Sequence, residues 1–171
     1  MLVRTLRESV GRRMRIAGIL PSSFVNGYGM RYVIFLQGCP HHCEGCQNPD
    51  TWDLDGGREM KVEDIIKDIK KRRKLLDGIT LSGGEPFLQQ DECVKLLTML
   101  PEGLDVWIYT GFTYEGIKHT NLAKLADYIV DGKFECDKIV EGKLYGSSNQ
   151  RIINVKKGTI EPYGERLQSE L

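Results

Sequence analysis

Short apolar runs of strand length alternate along this chain with longer segments whose apolar residues recur every three or four positions. The runs at 14–20, 31–37, 79–82, 105–110, 128–131 and 151–155 are rich in β-branched and aromatic residues and read as strands. Between them, residues 61–76 place Val62, Ile65, Ile66, Ile69 and Leu76 at helical spacing, and 89–100 do the same with Cys93, Leu96, Leu97 and Leu100. Residues 113–125 read as a helix in two pieces. Alternation of this kind with short connections predicts an α/β fold with a mostly parallel sheet. A closed eight-fold barrel takes about 250 residues, so a chain of 171 is expected to form an incomplete, open (β/α) barrel. The expectation is a single domain over 1–171, with a core at about 14–155 and a short basic leader at 1–13. In such sheets function collects in the loops at the carboxyl ends of the strands.

Composition narrows the partners. A formal net charge of zero supplies no field to hold a polyanion, so nucleic acid is not expected. No apolar run nears the roughly 20 residues that cross a bilayer, and the N-terminus lacks the apolar centre of a signal peptide. No membrane partner is expected, and the location is expected to be cytoplasmic. Five cysteines, three of them crowded into eight positions, suit metal ligation in a reducing compartment better than a disulfide framework.

Those three are Cys39, Cys43 and Cys46, in a loop at 38–54 that starts just after the second strand. Three thiolates in one tight loop can cap three corners of a cubane iron–sulfur cluster, and with no fourth cysteine nearby one iron keeps an open position for a small molecule. The competing reading is a structural zinc site completed by His41 or His42. Among the remaining residues, Cys93 reads as core, Trp52 and Trp107 as packing, 147–149 as turn formers and His119 as surface, and Cys136 has no evident partner.

The spacing Cys-x3-Cys-x2-Cys resembles the signature of the radical S-adenosylmethionine superfamily. The likeness extends through an ordered set: Asn26-Gly-x-Gly-x-Arg31, Gly38-Cys-Pro-His-x-Cys-x-Gly-Cys46, Asn48-x-x-Thr-Trp52, Leu81-Ser-Gly-Gly-Glu-Pro86, Trp107-Ile-Tyr-Thr-Gly-Phe112, Asp131-Gly-Lys-Phe134 and Gly146-Ser-Ser-Asn-Gln150. Together they resemble the activating proteins of anaerobic ribonucleoside-triphosphate reductases.

That resemblance implies the radical SAM type of open barrel, with a 4Fe-4S cluster on Cys39, Cys43 and Cys46 and S-adenosylmethionine against Gly45, Cys46 and Gln47. It implies that Ser82, Gly83, Gly84 and Glu85 receive the methionine amino group, and that Asp131 and Lys133 lie beside the cofactor. The glycines would let backbone approach the ligand, and Glu85 offers a carboxylate to an ammonium. Two positions depart from the wider superfamily: Gly45 stands where an aromatic residue is common, and Gln47 where tyrosine often follows the third cysteine. The implied activity is reductive cleavage of S-adenosylmethionine to place a glycyl radical on the reductase, with a flavodoxin- or ferredoxin-type reductant and no acid–base residue beyond the cluster. The alternatives are an activase of another glycyl-radical enzyme such as formate acetyltransferase, a small-molecule radical SAM enzyme, or the zinc module.

Overall fold

The computed structural model describes residues 12–162; most of the basic leader read at 1–13 lies outside the described residues. One eight-stranded sheet organises them, in the order β3-β1-β2-β4-β5-β6-β7-β8. Its strands are β1 (Arg13–Ser23), β2 (Arg31–Leu36), β3 (Arg58–Lys61), β4 (Gly78–Gly83), β5 (Asp105–Tyr109), β6 (Tyr128–Asp131), β7 (Arg151–Asn154) and β8 (Thr159–Ile160). The four central strands, β2, β4, β5 and β6, run parallel. Antiparallel pairs extend this centre on both sides. The sheet does not close, because β3 and β8 are its two edges; this is the open barrel expected from length and alternation.

Four helices join the strands: α1 (Val62–Arg72), α2 (Gln90–Thr98), α3 (Tyr114–Ile117) and α4 (Asn121–Leu125). The buried faces of α1 (Val62, Ile65, Ile66, Ile69) and α2 (Cys93, Leu96, Leu97) are those the helical spacing predicts. They pack on Tyr32, Ile34 and Leu36 of β2, Ile79 and Leu81 of β4, and Val106 and Ile108 of β5. Each such large side chain removed from water stabilises the fold by about 1.5–3 kcal/mol. Cys93 is wholly buried here, and burial pushes its thiol well up from its ordinary value, which makes it inert packing. The helix expected to run to residue 76 ends at Arg72 and tightens into a turn over Arg73–Leu75. Arg73 closes that turn by donating to the carbonyls of Leu76 and Glu102.

The other face of the sheet carries Trp107, Val130 and Ile152, joined by Leu144 from the segment before β7. Tyr28 meets Trp107 edge-on, and Tyr128 stacks on the same indole at 4.7 Å.

At the amino ends of the parallel strands sits a buried arginine. Arg31 has no exposed surface, and its guanidinium donates to five acceptors: Thr80 Oγ1, the carbonyls of Tyr28, Ile79 and Asp105, and Asp105 Oδ1. Gly78 lies beside it, where a Cβ would come within 2.3 Å of Arg31 Nη1. Gly29 adopts φ 72°, and a Cβ there would meet Asp77 Oδ2 at 2.4 Å. Arg31 and the glycines beside it therefore form a clamp at the amino ends of the strands, while Asn26, which begins the Asn26-Gly-x-Gly-x-Arg31 pattern, reaches the cavity of the cysteine loop.

Candidate active site

The four parallel strands deliver four loops to one end of the sheet. The cysteine loop follows β2, Gly84 to Pro86 follow β4, Thr110 to Phe112 follow β5, and Gly132 to Phe134 follow β6. A cavity of about 430 Å³ opens among them, bounded on the far side by Leu144, Tyr145 and Gly146. That volume suits a small organic cofactor. Cys39, Cys43 and Cys46 all line it, as do Gln47, Ser82, Gly83, Gly84 and Glu85.

The cysteine loop is anchored at its base. Gly38 N–H donates to Thr51 O at 2.7 Å and Cys39 N–H to Trp52 O at 3.2 Å. The Gln37 amide donates to the carbonyls of Asp50 and Asp53. His42 takes φ 47°, a left-handed conformation, and stacks on Trp52 at 4.9 Å. Inside the loop, Cys46 N–H reaches Cys43 O, and Asn48 N–H donates to Cys46 Sγ at 3.3 Å. Burial raises the Cys39 thiol above its ordinary value, partly offset by the backbone N–H of His41. A metal that binds the thiolate would reverse that preference.

The Gly83-Gly84 pair approaches protein backbone. Gly83 has φ 87°, and a Cβ there would lie 2.7 Å from Phe35 Cα. A Cβ on Gly84 would lie 2.3 Å from the carbonyl oxygen of Gly38, which also accepts from Glu85 N–H at 2.8 Å. These glycines let the end of β4 lie directly against the root of the cysteine loop. Gly84→Ala is expected to cost about 1–3 kcal/mol, because backbone rather than a flexible side chain blocks the new methyl. Urea unfolding of the cluster-free protein checks this, and an unchanged midpoint would refute the close contact.

Glu85 departs from the expectation of a carboxylate open to an ammonium. It has no exposed surface and accepts four kinds of bond: from His41 Nε2 at 2.7 Å, Thr110 Oγ1 at 2.8 Å, Gly111 N–H at 2.9 Å and Phe87 N–H at 3.1 Å. Asp131 is similarly committed. Both its oxygens take the Arg151 guanidinium, and one accepts Tyr114 N–H at 2.7 Å. Neither Asp131 nor Lys133 lines the cavity, whereas Gly132 between them does. Gly45, with φ 71°, turns the loop outside the lining, and a Cβ there would come within 3.0 Å of Cys136 Cβ. Cys136, which had no evident partner in the sequence, therefore lies against the cysteine loop.

Val25 and Phe35 carried no signal in the sequence, and Tyr109 and Gln150 stood there only as members of the ordered motifs. Val25, Phe35 and Tyr109 add an apolar wall to the cavity, and Tyr109 O–H donates to Leu144 O at 2.6 Å. Gln150 fixes the 146–150 turn by accepting from the N–H groups of Gly146 and Ser147 and donating to Gly132 O.

The donor set fits a cubane cluster with one iron left open: three soft thiols face one cavity, while Cys93 is sealed in the helix layer. Both imidazoles of the alternative zinc reading are engaged elsewhere, His41 with Glu85 and His42 with Trp52. Among the described residues no group of three or more His, Cys, Asp or Glu is arranged to hold a single metal ion.

Residues 25–153 match the family of the 4Fe-4S single cluster domain. The chain is 37% identical over 142 residues to the anaerobic ribonucleoside-triphosphate reductase-activating protein of Enterobacteria phage T4, covering 78% of this chain and 90% of that one. It is 38% identical over 146 residues to the protein of the same name from Vibrio cholerae, covering 77% and 92%. The chain belongs to the family of anaerobic ribonucleoside-triphosphate reductase-activating proteins, radical SAM enzymes with a 4Fe-4S cluster and S-adenosylmethionine as cofactors. It is also 36% identical over 133 residues to the pyruvate formate-lyase-activating enzyme of Clostridium pasteurianum, covering 71% of this chain and 56% of that one. The motifs singled out in the sequence fall within the matched region. No helix among the described residues is long and apolar enough to cross a membrane.

Proposed function

We propose that this protein activates an anaerobic ribonucleoside-triphosphate reductase by generating a glycyl radical on it through reductive cleavage of S-adenosylmethionine. The observation that carries the reading is the convergence of three thiols and the Ser82–Gly84 backbone on one cavity at the carboxyl ends of parallel strands. Cys39, Cys43 and Cys46 hold the cluster. When bound, the cluster supplies the electron that breaks a carbon–sulfur bond of the sulfonium cofactor.

The protein's own part is binding, orientation and exclusion of water. Ser82, Gly83 and Gly84 present backbone and a hydroxyl to the amino-acid end of the cofactor. Gln47 and Cys46 would flank it from the loop, and Phe35 and Tyr109 would offer an apolar wall to its nucleoside. From the β6 end Gly132 lines the cavity, between Asp131, which pairs with Arg151, and Lys133, whose carbonyl accepts from the Asn149 amide. Glu85 acts through the residues it binds. No side chain is assigned as acid or base, since hydrogen-atom transfer from a glycine α-carbon needs none. The sheet's open edges leave a route for a polypeptide segment, and a flavodoxin- or ferredoxin-type protein is the class of reductant the chemistry requires.

The test is anaerobic reconstitution, reduction in the presence of S-adenosylmethionine, and assay for 5'-deoxyadenosine and methionine with and without the reductase. Both products together with a glycyl-radical EPR signal on the reductase are expected. Cleavage with radical transfer only to a formate acetyltransferase would replace the partner and keep the chemistry. No cleavage by a fully loaded, reduced protein would overturn the reading.

A further inference from the structure

His41 stands between two cysteines of the loop, and its side chain is only 7% exposed. Its Nε2–H donates to Glu85 Oε2 at 2.7 Å, across 44 residues of sequence. The space for its ring exists because residue 111 is glycine: a Cβ there would lie 2.3 Å from His41 Cδ2. Phe112 closes on the ring edge-on, with centroids 4.6 Å apart. The carboxylate that receives the imidazole is itself fixed by Thr110 and by the N–H of Gly111. Three separate stretches of sequence, Cys39-Pro-His, Gly84-Glu-Pro and Thr110-Gly-Phe, thus serve a single imidazole–carboxylate contact. Nothing in ligating a cluster or cleaving a cofactor demands that convergence.

We infer that His41 is a positioning residue: through Glu85 it fixes the Cys39–Cys43 half of the loop against the carboxyl ends of β4 and β5, and so sets where the cluster sits relative to Ser82 and Gly84. This rests on the reading of Cys39, Cys43 and Cys46 as cluster ligands. The backbone bonds of Cys39 to Trp52 and of Cys46 to Cys43 run within the loop, and the bond of Glu85 N–H to Gly38 O ties only its root to the end of β4. The His41–Glu85 bond crosses from loop to sheet, and a buried hydrogen bond to a carboxylate is among the stronger single contacts available. Outer partners that orient ligands commonly govern affinity by roughly 10–100-fold without touching the metal.

The full-length protein tests this first without its cluster. Cysteine alkylation by iodoacetamide, followed by mass spectrometry, is compared for the wild type, His41→Leu and His41→Gln. In His41→Leu, Cys39 and Cys43 are expected to react at least about tenfold faster as the loop opens locally. Cys93, sealed in the helix layer, stays protected and reports an intact core. A glutamine side-chain amide can still donate to Glu85, so His41→Gln is expected to react close to the wild-type rate. After anaerobic reconstitution with excess iron and sulfide, His41→Leu is expected to carry a full cluster, so that the cofactor dependence can be compared at equal loading. It should need at least about tenfold more S-adenosylmethionine to perturb the EPR signal of the reduced cluster, with His41→Gln near wild type.

Equal alkylation rates in His41→Leu and wild type, or equal cofactor dependence of their EPR signals, would overturn the assignment. If Cys93 becomes reactive in His41→Leu, the decision falls to His41→Gln: slow alkylation of Cys39 supports the role, and fast alkylation defeats it. Failure of the wild type to take up a cluster would defeat the ligand reading instead, and the alkylation result on cluster-free protein would stand apart from it.

Discussion

Cys43→Ser is expected to remove cluster-dependent chemistry while leaving the fold intact. The side chain is half-exposed on a loop and belongs to neither apolar cluster, so its replacement touches no packing. Unfolding of the cluster-free protein should then shift by no more than about 0.5 kcal/mol, the range of substitutions away from packed or paired groups. The chemical effect is of another order. Loss of a partner that merely orients a metal ligand costs roughly 10–100-fold in affinity or activity, so loss of a ligand itself should exceed about 100-fold in cofactor cleavage. Iron content, visible absorption after reconstitution and 5'-deoxyadenosine yield measure the first effect, and urea unfolding followed by circular dichroism measures the second. Full iron loading with undiminished cleavage would remove Cys43 from the ligand set. Cys93→Ser should invert the pattern, because its sulfur is enclosed by the helix layer, and a smaller, more polar hydroxyl there keeps only the bond to Pro86 O and loses the packing of the thiol.

The two effects separate because the fold and the site draw on different parts of the sequence, and those parts were not equally readable. The parallel centre was legible because β2, β4, β5 and β6 are buried on both faces and read as compact β-branched runs. β3 was not: Arg58, Glu59 and Lys61 give it the look of a charged linker, yet it pairs with β1 as an edge strand. Its charges are placed for that edge, with Glu59 meeting Arg13 and Arg15. β8 has only two residues and no period to detect. At the site, the cysteine spacing and the Gly83-Gly84 pair stood out, because rare residue types at fixed intervals are visible without a fold.

Roles set by long-range partners were hidden. A glutamate in a glycine-rich turn looks solvated, and only the meeting of His41, Thr110 and Gly111 makes Glu85 a buried hub. Asp131 looked available for the cofactor until β7, antiparallel to β6, brought Arg151 opposite it in register. The segments that cover the open face of the sheet, around Tyr28 and Leu144, are irregular, so periodicity could not announce them. The cavity therefore has a floor that strand patterns predict and walls that only tertiary contact reveals.

At the opposite end of the sheet, Arg31→Met should destabilise the protein by about 3 kcal/mol near neutral pH. Removing one member of a buried ion pair costs about 3–5 kcal/mol; the lower figure applies because the Asp105 side chain remains 38% exposed while Arg31 is fully enclosed. Methionine fills much of the arginine stem's volume, so the loss comes from polar groups left without a donor: Thr80 Oγ1, the carbonyls of Tyr28 and Ile79, and the Asp105 carboxylate. The deficit should depend on pH with a definite sign. Burial already raises Asp105 above the ordinary carboxylate value, and Arg31 is the main influence lowering it. Without the arginine, the native state holds that proton to higher pH than the unfolded chain does. Native protein then binds more protons than unfolded protein in the window above about pH 4, and stability falls as pH rises through it. Urea unfolding of cluster-free wild type and Arg31→Met at pH 4 and pH 7 reads this directly, with the gap between them expected to be wider at pH 7. A gap that narrowed with rising pH would mean that Asp105 is held by groups other than Arg31. The motif that contains Arg31 would then owe its place in the chain to its turn glycines rather than to the clamp.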